Sequence, residues 1–244
     1  MLIYGINPVL EALRAGRVTA VRVSARGGER IAALVQAAEH AGVAVRRVAP
    51  EELDRASRGG VHQGVVAEAA ESGRVEIADL VAGPGTPLII VLDAIEDPHN
   101  VGAILRTVDA AGATGVVRQS RHAAPLGGAA AKASAGAVAH VAVADVVNVA
   151  RALEELKAAG VWTVGLAADA PKRYDEIDFT LPTALVVGAE GTGLRRLVRE
   201  RCDWLAAMPM HGHVGSLNVS VATGVVLFEA LRQRRAAAAR VGGG

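Results

Sequence analysis

Strand and helix signals alternate from end to end, and this predicts an α/β protein with a small amino-terminal α/β domain and a larger domain around a mostly parallel sheet. Three observations carry the prediction. Apolar runs of strand length, such as Leu88 to Leu92, alternate with stretches of helical periodicity. The segment Val81-Ala-Gly-Pro-Gly-Thr-Pro87 holds two prolines and two glycines, a linker signal that divides the chain. Half of the 244 residues are apolar and only 2% are aromatic, so the core must be packed from Ala, Val, Leu and Ile.

Residues 1–80 form the first domain. Val18 to Ser24 reads as a strand and Glu29 to His40 as a helix, with Ile31, Leu34, Val35 and Ala38 on one face. Gly42 stops that helix, and Val43 to Val48 is a second strand. Pro50 opens a further helix, where Glu51 and Glu52 favour the helix dipole; Val65 to Ala69 is another strand. Charges balance here, ten acids against ten arginines up to Leu80.

Residues 81–87 are the linker and residues 88–235 the second domain. After the Leu88 to Leu92 strand, Pro98 begins a helix capped by Asp97. Strands are expected at Thr114 to Arg118, Val138 to Val143, Val161 to Leu166 and Ala184 to Val187. Helices are clearest at Asp145 to Ala159 and Leu217 to Arg235. Such alternation argues for a sheet covered on both faces. The Ala/Arg/Gly segment 236–244 reads as a flexible tail.

A net charge of +1 excludes a chain-wide polyelectrolyte. Of 26 basic residues all but Lys132, Lys157 and Lys172 are Arg, which suits phosphate and base contacts but also follows from a GC-rich genome. The single cysteine, Cys202, rules out an internal disulfide or Cys-based zinc site and makes a reduced, cytoplasmic setting the expectation. Trp204 and Leu205 beside it point to burial rather than a nucleophile. The chain begins without a signal-peptide pattern, and no apolar run approaches a membrane span.

Four blocks carry chemistry: Asp93 to Thr107 (DAIEDPHNVGAILRT), Val186 to Leu194 (VVGAEGTGL), Met208 to Met210 (MPM) and Gly215 to Gly224 (GSLNVSVATG). Each sets small or amide-bearing residues where an apolar run meets a turn or helix, the place where an open α/β sheet holds its ligand. In the second block Gly188, Gly191 and Gly193 permit a sharp turn and close approach, and Glu190 offers a carboxylate. It is no Walker loop, since Leu194 stands where Lys is required.

In the last block Leu217, Val221, Val225, Phe228 and Leu231 recur at helical spacing and read as a buried stripe. Ser216 falls at the natural N-cap, with Asn218 in the first turn. That polar pair either caps and faces solvent or lines a pocket together with Met208. Asn100 and Arg106 are six residues apart, about 240° of helical rotation, so Asn100 must sit at or before the first turn if both face one site. His211 and His213 lack a third ligand and read as loop residues, so no metal is expected.

Together the blocks resemble the SpoU/TrmH branch of the SPOUT methyltransferases, RNA 2′-O-ribose methyltransferases that use S-adenosylmethionine. Ile3 to Gly16 and Val61 to Ala69 look like the amino-terminal domain of the bacterial 23S rRNA guanosine-2′-O-methyltransferases, the RlmB group. DPHNVGAILRT, KASAGA (Lys132 to Ala137), GAEGTGLRRL and SLNVSVATG are similar to that group's catalytic domain. The resemblance implies a trefoil knot in the second domain, a homodimer with a composite site, and a ribosomal-protein-like first domain that grips RNA. It assigns Asn100, Arg106, Glu190, Ser216 and Asn218 to catalysis. Gly188, Gly191, Met208 and Leu217 would hold the cofactor. The same chemistry on a tRNA guanosine or an rRNA adenosine, or an RNA-binding module without catalysis, are the alternatives.

Overall fold

The computed structural model describes residues 1–70, 73, 75–121 and 123–241. These form two compact units. The first comprises Met1–Gly73 with Asp97–Arg106 and Ala124–His140; the second comprises Arg74–Glu96, Thr107–Ala123 and Val141–Gly244. Two segments that follow the linker in sequence therefore group with the amino-terminal residues.

The first unit is built on strands β1 (Leu2–Tyr4), β2 (Val18–Ser24), β3 (Ala44–Val48) and β4 (Val65–Ala69). Their order is β1-β4-β2-β3, with β2 and β3 parallel and β4 antiparallel to both its neighbours. Helices α1 (Ile6–Arg14), α2 (Glu29–His40) and α3 (Pro50–Ser57) alternate with these strands. Pro50 occupies the first turn of α3, as its fixed φ favours.

The VHQG motif has a structural use within this unit. Gln63, at φ 54°, turns its side chain so that Oε1 accepts the Ile6 N–H at 3.0 Å, satisfying a donor that opens α1. Next to it, His62 Nδ1 accepts the Gly64 N–H at 3.1 Å. The ring proton therefore sits on Nε2, which donates to Asp54 Oδ1 at 3.0 Å.

The second unit contains α4 (Ile77–Val81), β5 (Leu88–Asp93), the end of α5 (Pro98–Ala111) and β6 (Gly115–Gln119). Helix α6 (Gly128–Ala133) belongs to the first unit. The second unit resumes with β7 (Val143–Val146), α7 (Val149–Ala158), β8 (Trp162–Leu166), β9 (Lys172–Arg173) and β10 (Thr183–Gly188). It ends with α8 (Arg196–Arg201), β11 (Trp204–Ala207) and α9 (Val219–Val241). The sheet order is β7-β6-β5-β10-β8-β11-β9, and every pairing is parallel. Ile89, Val91, Ala184 and Val186 of its central strands pack with Leu153 and Leu156 of α7 in one buried cluster.

Four expectations are corrected. Val138 lies in a 3-10 turn, Ala137–Ala139, and the strand begins only at Val143. Ala135 and Gly136, at φ 52° and 99°, bend the chain just before, so Val138 is buried by a turn and not by a ladder. The helix expected from Asp145 starts at Val149, because Asn148 caps it by accepting the Arg151 N–H at 3.2 Å.

The last helix begins at Val219, not Leu217, and of the residues read as its buried stripe only Leu231 is half-buried. Leu217, Val221, Val225 and Phe228 are 39%, 51%, 38% and 51% exposed, while Val219, Thr223, Val226, Leu227 and Ala230 are buried. Hydropathy marked an apolar face, but the sheet covers a different one. Finally, α9 runs through Val241, so residues 236–241 are helical; the rest of the expected tail lies outside the described residues.

Candidate active site

A cavity of about 340 Å³ opens at the carboxyl ends of β8, β10 and β11, three neighbouring strands of the parallel sheet. Leu166 to Asp169 wall it after β8, Val187 to Leu194 after β10, and Met208 and Met210 after β11. Gly215 to Leu217, leading into α9, complete the lining. The volume lies within the range of small-molecule sites, and its apolar side chains mixed with turn backbone suit a ligand with apolar and polar parts.

The turn after β10 is tight because it folds back on itself. Gly193 N donates to Ala189 O at 2.8 Å, and Gly191 and Gly193 have φ of 78° and 67°. A Cβ on Gly188 would overlap the Gly193 carbonyl and the Leu194 nitrogen. Glycine is thus needed at 188 for the chain's own return, where the sequence pointed to close approach of a ligand.

Six expected site residues line this one cavity: Gly188, Glu190, Gly191, Met208, Ser216 and Leu217. Asn218 joins them through Glu190, donating from Nδ2 to Oε1 at 2.5 Å. The capping role expected of Ser216 belongs to Asn218, whose Oδ1 accepts from Ser220 N at 2.9 Å and Val221 N at 3.4 Å. Two residues later in the chain, its side chain is the one aligned with the free N–H groups of the first turn.

Asn100 and Arg106 lie on the part of α5 that groups with the first unit. Asn100 is the third residue of that helix and buried, which meets the first-turn condition; Arg106, six residues on, is exposed. Asp97 caps the helix, its Oδ1 accepting the His99 N–H at 3.0 Å.

Sequence reasoning missed two ion pairs of the second unit. Arg199 donates both terminal nitrogens to the Asp169 carboxylate at 2.8 and 2.9 Å, and both residues border the cavity. That hydrogen-bonded pairing holds Asp169 below the usual carboxylate range and raises Arg199. The second pair joins Arg195 to Asp93, which is wholly buried at the end of β5. A visible signal existed only for Asp93, the one charged residue ending the apolar run from Leu88. Cys202, as expected, is no nucleophile. Burial pushes its thiol up to about 12, and Sγ donates to the Val198 carbonyl at 3.3 Å.

Comparison with known proteins identifies the family. Residues 87–228 match the SpoU rRNA Methylase family model, and residues 2–74 match the model for RNA 2′-O ribose methyltransferase substrate binding. The chain belongs to the SpoU rRNA methylase family. It is 45% identical over 241 residues to the 23S rRNA (guanosine-2′-O-)-methyltransferase RlmB of Pseudomonas syringae pv. tomato, covering 96% of each chain. Among solved structures, the SpoU methyltransferase AviRb of Streptomyces viridochromogenes in complex with AdoMet superimposes at TM-score 0.82, with 26% identity and 96% and 90% of the two chains covered. A. aeolicus TrmH/SpoU tRNA modifying enzyme matches at TM-score 0.57 and 32% identity, over 66% of this SpoU chain and 81% of its own. Among the described residues no helix is long and apolar enough to cross a membrane.

Proposed function

We propose that this chain is an S-adenosylmethionine-dependent RNA 2′-O-ribose methyltransferase acting on a guanosine of 23S rRNA. The carrying observation is the single cavity to which six of the singled-out residues contribute. A relative from Pseudomonas syringae that is 45% identical along nearly the full length bears this activity in its name, and AviRb was solved with AdoMet. The cavity fits the cofactor: Leu166, Leu194 and Leu217 offer apolar contact, and the 188–194 and 215–217 segments offer backbone groups for an adenosine and an amino-acid end. Gly188, Gly191, Met208 and Leu217 would hold it.

When bound, S-adenosylmethionine supplies a methyl group on a sulfonium, a good leaving group. The protein's task is then to orient the ribose 2′-hydroxyl and help it lose its proton. Arg106 carries the central role. A guanidinium stays protonated at ordinary pH, so it acts as an anchor for the nucleotide's phosphate and a stabiliser of the developing alkoxide, whose proton passes to water, and not as a base. Asn100, Glu190, Ser216 and Asn218 are assigned to orienting the reactants.

Homodimerisation is part of this reading. Val221, Val225 and Phe228 form an exposed apolar face on α9 that a second copy would cover. The trefoil knot and a cytoplasmic location belong to the same proposal. The 45% identical relative that covers 96% of this chain and is named for 23S rRNA supports rRNA over tRNA.

Incubation of purified protein with tritiated S-adenosylmethionine and undermethylated total RNA tests the function. Label in the ribose of a 23S guanosine is expected. Label confined to tRNA moves the substrate, and no transfer at all refutes the enzyme.

A further inference from the structure

We propose that Asp93 is a positioning residue, its buried carboxylate fastening the returning limb of the 188–195 turn so that the cavity is shaped before a ligand arrives. The inference rests on reading that cavity as the cofactor site. Asp93 is the last residue of β5 and pairs with Gly188, the last residue of β10, in parallel register. It is 0% exposed. Its Oδ2 accepts the Arg195 backbone N–H at 2.8 Å, and Nε and Nη2 of the same arginine both lie 2.6 Å from Oδ1.

A buried carboxylate is costly unless fully paired, and an apolar residue would have ended this apolar strand more cheaply. Here both oxygens serve one residue, which stands seven positions beyond Gly188. The turn is therefore held to Asp93 at both ends, by the ladder at Gly188 and by the carboxylate at Arg195. Between them, Ala189 to Leu194 line the cavity. Arg195 Nη2 also donates to Gln119 Oε1 at 2.8 Å, so the adjacent ends of β6, β5 and β10 are secured along one edge. Enclosed and with both oxygens occupied, Asp93 has no route to a substrate proton. Its role is to hold geometry.

The test compares Asp93→Asn, Arg195→Gln and the double variant with the intact protein. Amide hydrogen exchange of residues 189–195 is read without ligand, S-adenosylmethionine affinity by calorimetry and rRNA affinity by filter binding. Each single variant is expected to speed exchange in the turn and weaken cofactor binding about tenfold or more, the scale of a lost supporting hydrogen bond to a charge. RNA affinity should stay within about twofold, as expected for a site whose other contacts are intact. The double variant, in which two amides replace the ion pair, should recover part of both losses. Unchanged exchange in a folded single variant overturns the proposal, as does a loosened turn with unaltered cofactor affinity. Should Asp93→Asn fail to fold, Arg195→Gln carries the same test. Exchange needs no ligand, so an intact protein that binds no S-adenosylmethionine would refute the cofactor reading separately.

Discussion

Asn218 uses both ends of its amide: Nδ2 donates to Glu190 Oε1, while Oδ1 caps α9 through the Ser220 and Val221 N–H groups. One side chain thereby ties the turn after β10 to the start of the last helix. Asn218→Asp keeps the cap and turns the link into a repulsion between carboxylates. Its melting temperature should stay near that of the parent while methyl transfer falls about tenfold or more, if the link positions a charged group. Asn218→Ala should lose about 1 kcal/mol of stability as well, the usual cost of an N-cap. Full transfer activity in Asn218→Asp would remove the link from the mechanism.

Arg106 is exposed, and its guanidinium is engaged by no other described residue. Arg106→Ala is expected to leave calorimetric cofactor affinity intact and lower the methylation rate by roughly a hundredfold, as for a lost electrostatic stabiliser. Ordinary turnover in this variant would exclude Arg106 from catalysis.

Gly188→Val places side-chain atoms where the Gly193 carbonyl already sits. The turn must open, and cofactor binding should become undetectable by calorimetry while far-ultraviolet circular dichroism is retained. Unaltered affinity would contradict the placement of the site.

Arg234 staples α9 to the loops feeding β5 and β10. Its guanidinium donates to the carbonyls of Phe179, Thr86, Pro87 and Leu181 at 2.6 to 3.1 Å. Arg234→Ala strands these acceptors and should destabilise the protein by about 2 kcal/mol in urea unfolding, the scale of unmet partly buried hydrogen bonds. A change below about 0.5 kcal/mol, the level of an ordinary surface substitution, would show that water replaces the staple.

Asp203 gives the fold an acid limit. Burial raises its pKa, but hydrogen bonds from the Thr163 N–H and hydroxyl and from Lys157 outweigh burial and hold it below the usual range. A carboxyl depressed in the folded state contributes stability above its unfolded pKa and loses it as pH falls through the folded one. Thermal melts should therefore fall below about pH 4. In Asp203→Asn the fall should be shallower, and the loss at neutral pH about 1 kcal/mol after allowance for solvent screening. Parallel melting curves for the two proteins would discount Asp203.

Much of the fold was legible because buried parallel strands write themselves as short apolar runs, as Leu88 to Leu92 and Ala184 to Val187 do. The strand assigned to Val138 failed because a left-handed turn at Ala135 and Gly136 leaves no mark in hydropathy. The stripe on α9 failed for another reason. Periodicity identifies an apolar face and is silent on what covers it. Turn and helix-start residues of the site were visible as small and amide residues in clusters. The Asp93–Arg195 and Asp169–Arg199 pairs were not, because their partners meet only through the order of the strands.

That order also sets a timetable for synthesis. Strand β10 slots between β5 and β8, with Thr183 beside Leu88, so the centre of the sheet is completed by residues made almost a hundred positions later. Earlier strands must wait with an open flank until β10 emerges, and contacts so distant in sequence form slowly. The wall contributed by residues 215–217 comes later still. A nascent chain is thus blind to its ligand until residues 215–217 have been made, and any arrest before β10 yields a polypeptide with a sheet edge to hide and no pocket to show for it.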